Sequence, residues 1–435
     1  MIRIPSTLLT LGFFLAAAYS AWLGAAMFSW WLPGWARMLR VLLSAVVLIC
    51  AFAPGPGSVV VPSMLLLASA VVPMQLALVL ADGTIRCDDV AQVRAQPGVS
   101  IFLPSTLDEL TCAPGDVIRV SRYPRHVWEA PDGSHFVVST QDSGHHPQGR
   151  LVSSRLTGAV CELWSDTRRA PRCLGDGRAS AIAELPGNRL AFGEWTGHDH
   201  DGKVVVVAVD AFTKPIAERS FLKPSSEVIY DDRSHTLLVG FDQGGGIEFL
   251  DPSNLQTVRP PVALPIVGGS EFYDGTRGEG VVCGISLQPG DGPRFLAVAF
   301  TGVPFEIRPI GPAAERPWVF FAVGWGCAWD RASNIVYSVS GTLGEAAAIS
   351  YVDGHFLPGE AYVGPGYREA AFDPVRHHLY LATWGSGDVV ALDVSTWQIV
   401  GHWSVGRWVR QVKLTRDGHA LLATSNLGVV RVALD

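Results

Sequence analysis

Two short stretches concentrate the side chains most able to hold a metal. Gln141-Asp-Ser-Gly-His-His-Pro-Gln148 carries His145 and His146, and Glu194-Trp-Thr-Gly-His-Asp-His-Asp201 carries His198, Asp199, His200 and Asp201. Imidazole nitrogen and carboxylate oxygen are ligands for divalent ions, and two neighbouring turns could bring them onto one ion. No fixed ligand spacing is met, so the same residues also read as solvated polar loops. A second set recurs at matching places in successive repeats: Arg125-His126, Arg178, Glu227, Trp325, Arg368-Glu369 and Arg410-Gln411. Arginine, glutamate and tryptophan together suit an anionic or sugar-like ligand, through bidentate guanidinium contacts and ring stacking. They equally suit a water-filled channel mouth with paired charges. Trp384, Trp397, Trp403 and Trp408 form a third group, of a kind that more often packs between repeats than binds.

Several chemistries lack their motif. The sequence has no Gly-x-Ser-x-Gly elbow, no Gly-x-x-x-x-Gly-Lys-Ser/Thr loop, no His-Glu-x-x-His and no Cys-x-x-Cys-His. The 435 residues carry a net charge of −7 and no basic cluster, which sets nucleic-acid binding aside.

The elements that must position these residues are short β-rich runs. From Tyr367 they read Leu379-Tyr-Leu-Ala-Thr, Asp388-Val-Val-Ala-Leu-Asp and Ile399-Val-Gly-His-Trp-Ser-Val-Gly, and then begin again as Val409-Arg-Gln-Val-Lys-Leu-Thr-Arg-Asp-Gly-His. Asp-Pro, Asp-Gly and Gly-Ser-Gly separate them, as in an antiparallel meander. The period of about 43 residues matches one four-stranded propeller blade. Upstream, the same turn signal appears at Pro131-Asp-Gly, Leu185-Pro-Gly-Asn, Tyr230-Asp-Asp-Arg and Trp329-Asp-Arg-Ala. This repeat resembles that of the YVTN-type β-propellers, a family of seven-bladed rings. The resemblance implies a fold and no particular reaction, since propellers host many functions. The reading is therefore all-β: a seven-bladed β-propeller over 116–435. Seven blades need four strands each, and the last has three before the chain ends. Asp116-Val-Ile-Arg-Val-Ser-Arg122 is expected to supply the missing outer strand.

Hydrophobic residues make up 48% of the chain and charged ones 17%, and the apolar excess sits in residues 1–81. Thr7–Leu32 is an uncharged run of about 26 residues, enough to cross a core of about 30 Å, ending in Trp30-Trp31. Met38–Ala53 and Val59–Ala81 follow. Three transmembrane helices are expected, although the first run also fits a cleaved signal peptide. Arg37 and Arg40 in the first loop argue against an extracytoplasmic carboxyl-terminal domain, and the cysteines argue for one.

Apart from Cys50, six cysteines remain, and spacing suggests the pairs Cys87–Cys112, Cys161–Cys173 and Cys283–Cys327. An even count without Cys-x-x-Cys favours disulfides over zinc, and disulfides imply an oxidising compartment. The alternative is six buried thiols in a cytoplasmic domain. Residues 82–115 read as a connector: Asp88–Ala95 as a short helix, and Ser105 or Thr106 as the cap of a helical turn bearing Asp108 and Glu109.

The expected protein is thus a multi-pass membrane anchor with an extracytoplasmic propeller that binds or assembles with a protein or glycan partner. The other reading is a propeller hydrolase or lactonase that holds a divalent metal near His145, His198 and His200.

Overall fold

In the computed structural model, the described residues are 84–434, apart from 143–148, 197–200, 242–246, 263–279, 310–317 and some shorter turns. The chain divides into two compact units, Met1–Asp82 with Gly144–Gln148 and Gly83–Ser143 with Gly149–Asp435, and the architecture below is that of the second.

The unit opens with β1 (Thr84–Arg86), α1 (Cys87–Ala95), β2 (Val99–Pro104), a 3-10 turn (Asp108–Leu110) and β3 (Val117–Arg119). Blade one is β4 (Arg122–Glu129), β5 (His135–Asp142), β7 (Val160–Trp164) and β8 (Arg172–Leu174), with β6 (Arg150–Leu151) lying in the excursion between β5 and β7. Blade two is β9 (Arg178–Leu185), β10 (Arg189–Thr196), β11 (Asp201–Ala208) and β12 (Pro215–Phe221). Blades three to six follow in chain order from the inner strands β13 (Ser225–Asp231), β17 (Gly280–Gln288), β21 (Gly324–Asp330) and β25 (Tyr367–Asp373). Blade seven has β29 (Gln411–Leu414), β30 (Ala420–Ser425) and β31 (Gly428–Ala433), and takes its outer strand from β2. Each inner strand touches the next, from β4 through β9, β13, β17, β21 and β25 to β29 and back to β4. That is a closed ring of seven four-stranded antiparallel sheets.

Local chemistry explains the strands. Val204 to Val207 of β11 are all essentially unexposed, because both faces of a blade pack against neighbouring blades. A run of β-branched residues suits such a two-sided surface. In the turns between strands, an aspartate accepts the N–H two residues on: Asp132 from Ser134 (3.0 Å), Asp373 from Val375 (2.8 Å), Asp393 from Ser395 (2.8 Å) and Asp417 from His419 (3.0 Å). Those at Asp132, Asp373 and Asp417 are the Asp-Gly and Asp-Pro signals read in the sequence.

Blade seven differs from expectation. Its outer strand is β2, which pairs antiparallel with β31 in the register Val99–Val432, Ser100–Arg431 and Ile101–Val430. The segment expected there forms β3, which pairs with β1 and runs parallel to β6 in a separate three-stranded sheet. Gly98 at φ 72° turns the chain into β2, and Leu103 is buried in the seam between blades seven and one with Val127, Phe136, Val138, Leu422 and Val429.

The expectation of three transmembrane helices requires correction. The runs assigned to it lie outside the described residues. Among those described, α1 has nine residues, about 13 Å at 1.5 Å each, and no helix is long and apolar enough to cross a membrane. The fold class of the described residues is all-β with one short α-helix, and the multi-pass membrane placement is not retained. Two expected disulfides are present, Cys87–Cys112 and Cys161–Cys173. Cys327 is also disulfide-bonded, while Cys283 lies outside the side chains described.

The closing strand approaches β31 most tightly at Gly428, at φ 116°, where an added Cβ would lie 2.1 Å from the Leu103 carbonyl oxygen and 2.8 Å from the Ser105 nitrogen. Gly428→Ala should lower stability by at least about 1–3 kcal/mol from backbone strain alone. Gly133→Ala, where an added Cβ meets nothing within 4 Å, should cost less. Urea denaturation of both variants measures the difference, and equal losses would contradict the contact.

Candidate functional site

The inner strands carry a recurring irregularity. The β4–β5 register slips at Arg125, the β13 register at Ser226, the β17 register at Cys283, the β21 register at Trp325 and the β25 register at Arg368. In blade seven the Arg410 N–H bonds the Thr424 carbonyl beside the Gln411–Thr424 pair, a similar two-against-one arrangement. A bulge re-aims the side chains around it. The positions singled out in the sequence are thus largely bulge positions or their neighbours, at the end of the inner strand where the chain enters each blade.

Their surroundings differ from an open mouth. Arg410 is buried at 7% exposure, and its guanidinium donates to the Tyr123 hydroxyl of blade one at 3.2 Å. His126 is buried at 6%, and its N–H donates to Ser139 Oγ at 3.1 Å. Gln411 Oε1 accepts from the Val127 N–H at 2.8 Å, and Thr424 Oγ1 donates to the Arg125 carbonyl at 2.7 Å. Arg410, Gln411, Arg125 and His126 therefore sit at the blade seven–blade one seam. Arg125, Glu227 and Glu369 are half-buried in their strands. Trp325 and Arg368 hold their strand positions, but their side chains are outside those described. So are the metal candidates His145, His146, His198, Asp199 and His200, and the side chain of Asp201. No metal-holding cluster occurs among the described residues.

Among the described side chains of this set, Arg178 is the exposed one. It opens β9 opposite Trp195, its guanidinium lies 5.0 Å from the Trp195 ring, and its Nε is 3.9 Å from Asp142 Oδ2. Arg122 meets the other oxygen of Asp142 at 3.2 Å and donates to the carbonyls of Gly177 (2.6 Å) and Asp176. Trp195 is half-buried and fixed by a 2.9 Å bond from its Nε1 to the Ser225 carbonyl. Leu222, one residue beyond β12, is 91% exposed, and Phe221 before it pairs across the ladder with Gly202, the partner of Trp195. Burial raises the Asp142 pKa, against the pull of Arg122 and Arg178. Sequence reading had Arg178 but not its partners. Asp142 and Trp195 stood inside the two His-rich stretches, where the metal reading drew attention to the imidazoles instead.

A Ser, His, Asp gathering in blade six is not a catalytic set. Ser404 Oγ donates to Asp388 Oδ1 at 2.9 Å, and His402 Nε2 lies 3.4 Å from the same oxygen. A nucleophile–base chain places the imidazole between hydroxyl and carboxylate. Here Ser404 instead accepts from Gln92 of α1 at 2.9 Å, tying that helix to blade six.

The segment from β1 to β3 forms a clasp over this face. Asp89 of α1 pairs with Arg407 at 2.9 Å in a largely buried contact. Burial lowers the Arg407 pKa to about 10 and raises that of Asp89, each opposed by the other's charge. Asn426 Nδ2 donates to the Thr84 carbonyl at 2.6 Å. Thr106 Oγ1 accepts the Asp108 N–H at 3.3 Å, but the N-cap position of the 3-10 turn is Leu107, which has no side-chain cap bond. Ser105 does not cap; its hydroxyl is buried without a hydrogen-bond partner in the structure. Within that turn Glu109 is wholly buried, and neither of its carboxylate oxygens meets a donor in hydrogen-bond geometry. Burial raises its pKa well above the usual range, only partly offset by the Ser105 and Thr106 N–H groups and by Arg94 and Arg155.

No family model matches the chain, and no curated protein matches it. Solved structures share its fold. One is Kuenenia stuttgartiensis hydrazine synthase, at 16% identity and TM-score 0.54, covering 72% of this chain and 95% of that one. Another is a chain of the mitotic checkpoint complex, at 13% identity and TM-score 0.51, with the same coverages. At these identities the likeness establishes a propeller fold.

A carboxyl with a raised folded pKa contributes most to stability below its unfolded pKa of about 4.3, and loses that contribution as pH rises through the folded value. Thermal unfolding followed from pH 4 upward should show a component that declines with pH, and Glu109→Gln should flatten it. An unchanged pH profile in Glu109→Gln would contradict the assignment.

Proposed function

We propose that the propeller is a binding or assembly module for a protein partner, engaged through the rim of blades one and two. The observation that carries this reading is the Arg178–Trp195–Asp142 cluster beside the exposed Leu222. Tryptophan and arginine dominate the energetic centres of protein interfaces, where a ring held rigidly at the surface loses little entropy on contact. Here the Ser225 carbonyl and the Arg178 guanidinium hold the Trp195 ring before any partner arrives. The fold neighbours come from a hydrazine synthase and a mitotic checkpoint complex, and the second of these belongs to a complex. The disulfides support an oxidising compartment for the domain. The repeat residues of 367–435 support a place among YVTN-type propellers. A glycan partner would use the same ring and guanidinium by stacking and bidentate bonding.

Chemical crosslinking of the purified chain in its native extract tests the reading. A partner should crosslink to the parent chain, and the double variant Trp195→Ala, Leu222→Asp should lose it by about tenfold or more, as expected for removing more than one interface anchor. The variant Val258→Asp, Ile399→Asp, altering exposed residues of blades three and six, should keep it. Equal crosslinking by all three would refute the rim as the interface. Stoichiometric metal in the purified chain would instead favour the hydrolase reading.

A further inference from the structure

Two observations about the clasp combine. The Cys87–Cys112 disulfide closes a loop of sequence separation 25, and the ring-closing strand β2 lies wholly inside that loop. The same loop encloses Glu109, a wholly buried carboxyl that the Ser105 and Thr106 N–H groups only partly offset, beside the Ser105 hydroxyl and the Arg155 Nη1, each buried and without a hydrogen-bond partner. An unsatisfied buried polar group opposes folding. The segment that closes the ring is thus covalently held over groups that gain by returning to water.

We infer that Cys87–Cys112 is a redox site: its reduction by a dithiol releases the clasp and frees the outer edge of blade seven while the other blades remain folded. The site is reachable. Cys112 is half-buried and lies among the exposed Thr111, Ala113, Pro114 and Gly115, whereas Cys87 is 1% exposed at the start of α1. A thiolate of the dithiol attacks Cys112 Sγ, the sulfur–sulfur bond breaks, and Cys87 leaves as a thiolate that takes a proton. The second thiol of the reductant then attacks the mixed disulfide and expels Cys112 as the second thiol. Two electrons and two protons pass from the dithiol, which leaves as a cyclic disulfide.

The second disulfide has a different place. Cys161 and Cys173 are direct ladder partners of β7 and β8 in blade one, and β7 is buried along its whole length. Its loss frees no element that closes the ring. After release of Cys87–Cys112, the clasp would retain the Asp89–Arg407 pair, the Asn426–Thr84 bond and the Gln92 and Gln96 bonds to Ser404. The charged groups facing Glu109 are Arg94 from α1 and Arg155 from the segment after β6. The uncovered element is β31, whose outer backbone edge is otherwise occupied by β2. This inference stands independently of the partner proposed above.

The test is hydrogen exchange on the full-length chain during titration with dithiothreitol, with mass-tagged alkylation reporting which cysteines are free. Once Cys87 and Cys112 are alkylated, amides of 99–104 and 428–433 should exchange about tenfold faster or more, while those of 379–392 stay protected. A Cys161→Ser, Cys173→Ser chain should respond in the same way. Unchanged protection of 99–104 with Cys87 and Cys112 alkylated would overturn the inference. So would simultaneous loss of protection in every blade, because the disulfide would then hold the whole fold rather than a local clasp.

Discussion

The structure depends on one antiparallel pairing, that of Val99–Pro104 with Gly428–Ala433. A ring of sheets has no free edges between first and last blades only if its ends are joined, and an unjoined edge would expose backbone groups that pair with other chains. This chain joins its ends by returning a strand from ahead of blade one to the outside of blade seven. The seam is then filled from both sides. Leu103 of the closing strand, Val127 and Val138 of blade one, and Leu422 and Val429 of blade seven share one buried cluster.

Polar contacts fix the register that the apolar seam alone would leave free to slide. Arg416 donates through its backbone and its Nε to Glu129 of blade one, and its guanidinium reaches Glu184 of blade two, which also accepts from Trp128 Nε1 at 3.0 Å. Lys413 Nζ donates to the Val127 carbonyl at 3.4 Å. At the entry end of the inner strands, Arg410 and Gln411 make the corresponding links to Tyr123 and Val127. Residues that look like a ligand-binding ring in the sequence are therefore in good part the cement between blades. The more exposed arginine, Arg178, is the one whose neighbours suit a partner.

Much of the fold was legible in the sequence because its signals are local. Asp-Gly and Asp-Pro turns, β-branched runs and the repeat period located the blades, and α1 was visible as Asp88–Ala95. The closing strand was misplaced for a reason that is equally physical. Val117–Arg119 and Val99–Pro104 are both short apolar runs, and which of them pairs with β31 is decided by contacts more than three hundred residues apart in the chain. The Pro97-Gly98 turn ahead of Val-Ser-Ile-Phe-Leu was the available signal, but the polar Ser105-Thr106 pair that follows suggested a capped helical turn. The site was less legible. Stacking of Arg178 on Trp195 depends on ladder register, and the burial of Arg410 and His126 depends on how blades abut, neither of which residue types report. Metal chemistry at His145, His198 and His200 falls outside the described residues, as do the three apolar runs before Asp82.

Ring closure by Val99–Pro104 is the claim on which the clasp, the seam and the redox site all rest. Ser100 and Arg431 are direct partners across β2 and β31, so the full-length double variant Ser100→Cys, Arg431→Cys should form a crosslink under mild oxidation. Peptide mass mapping would read it directly. A crosslink joining residues 100 and 431 is the result this account predicts. Failure to form it, with Ile118→Cys, Arg431→Cys crosslinking instead, would place Val117–Arg119 on blade seven and contradict the account.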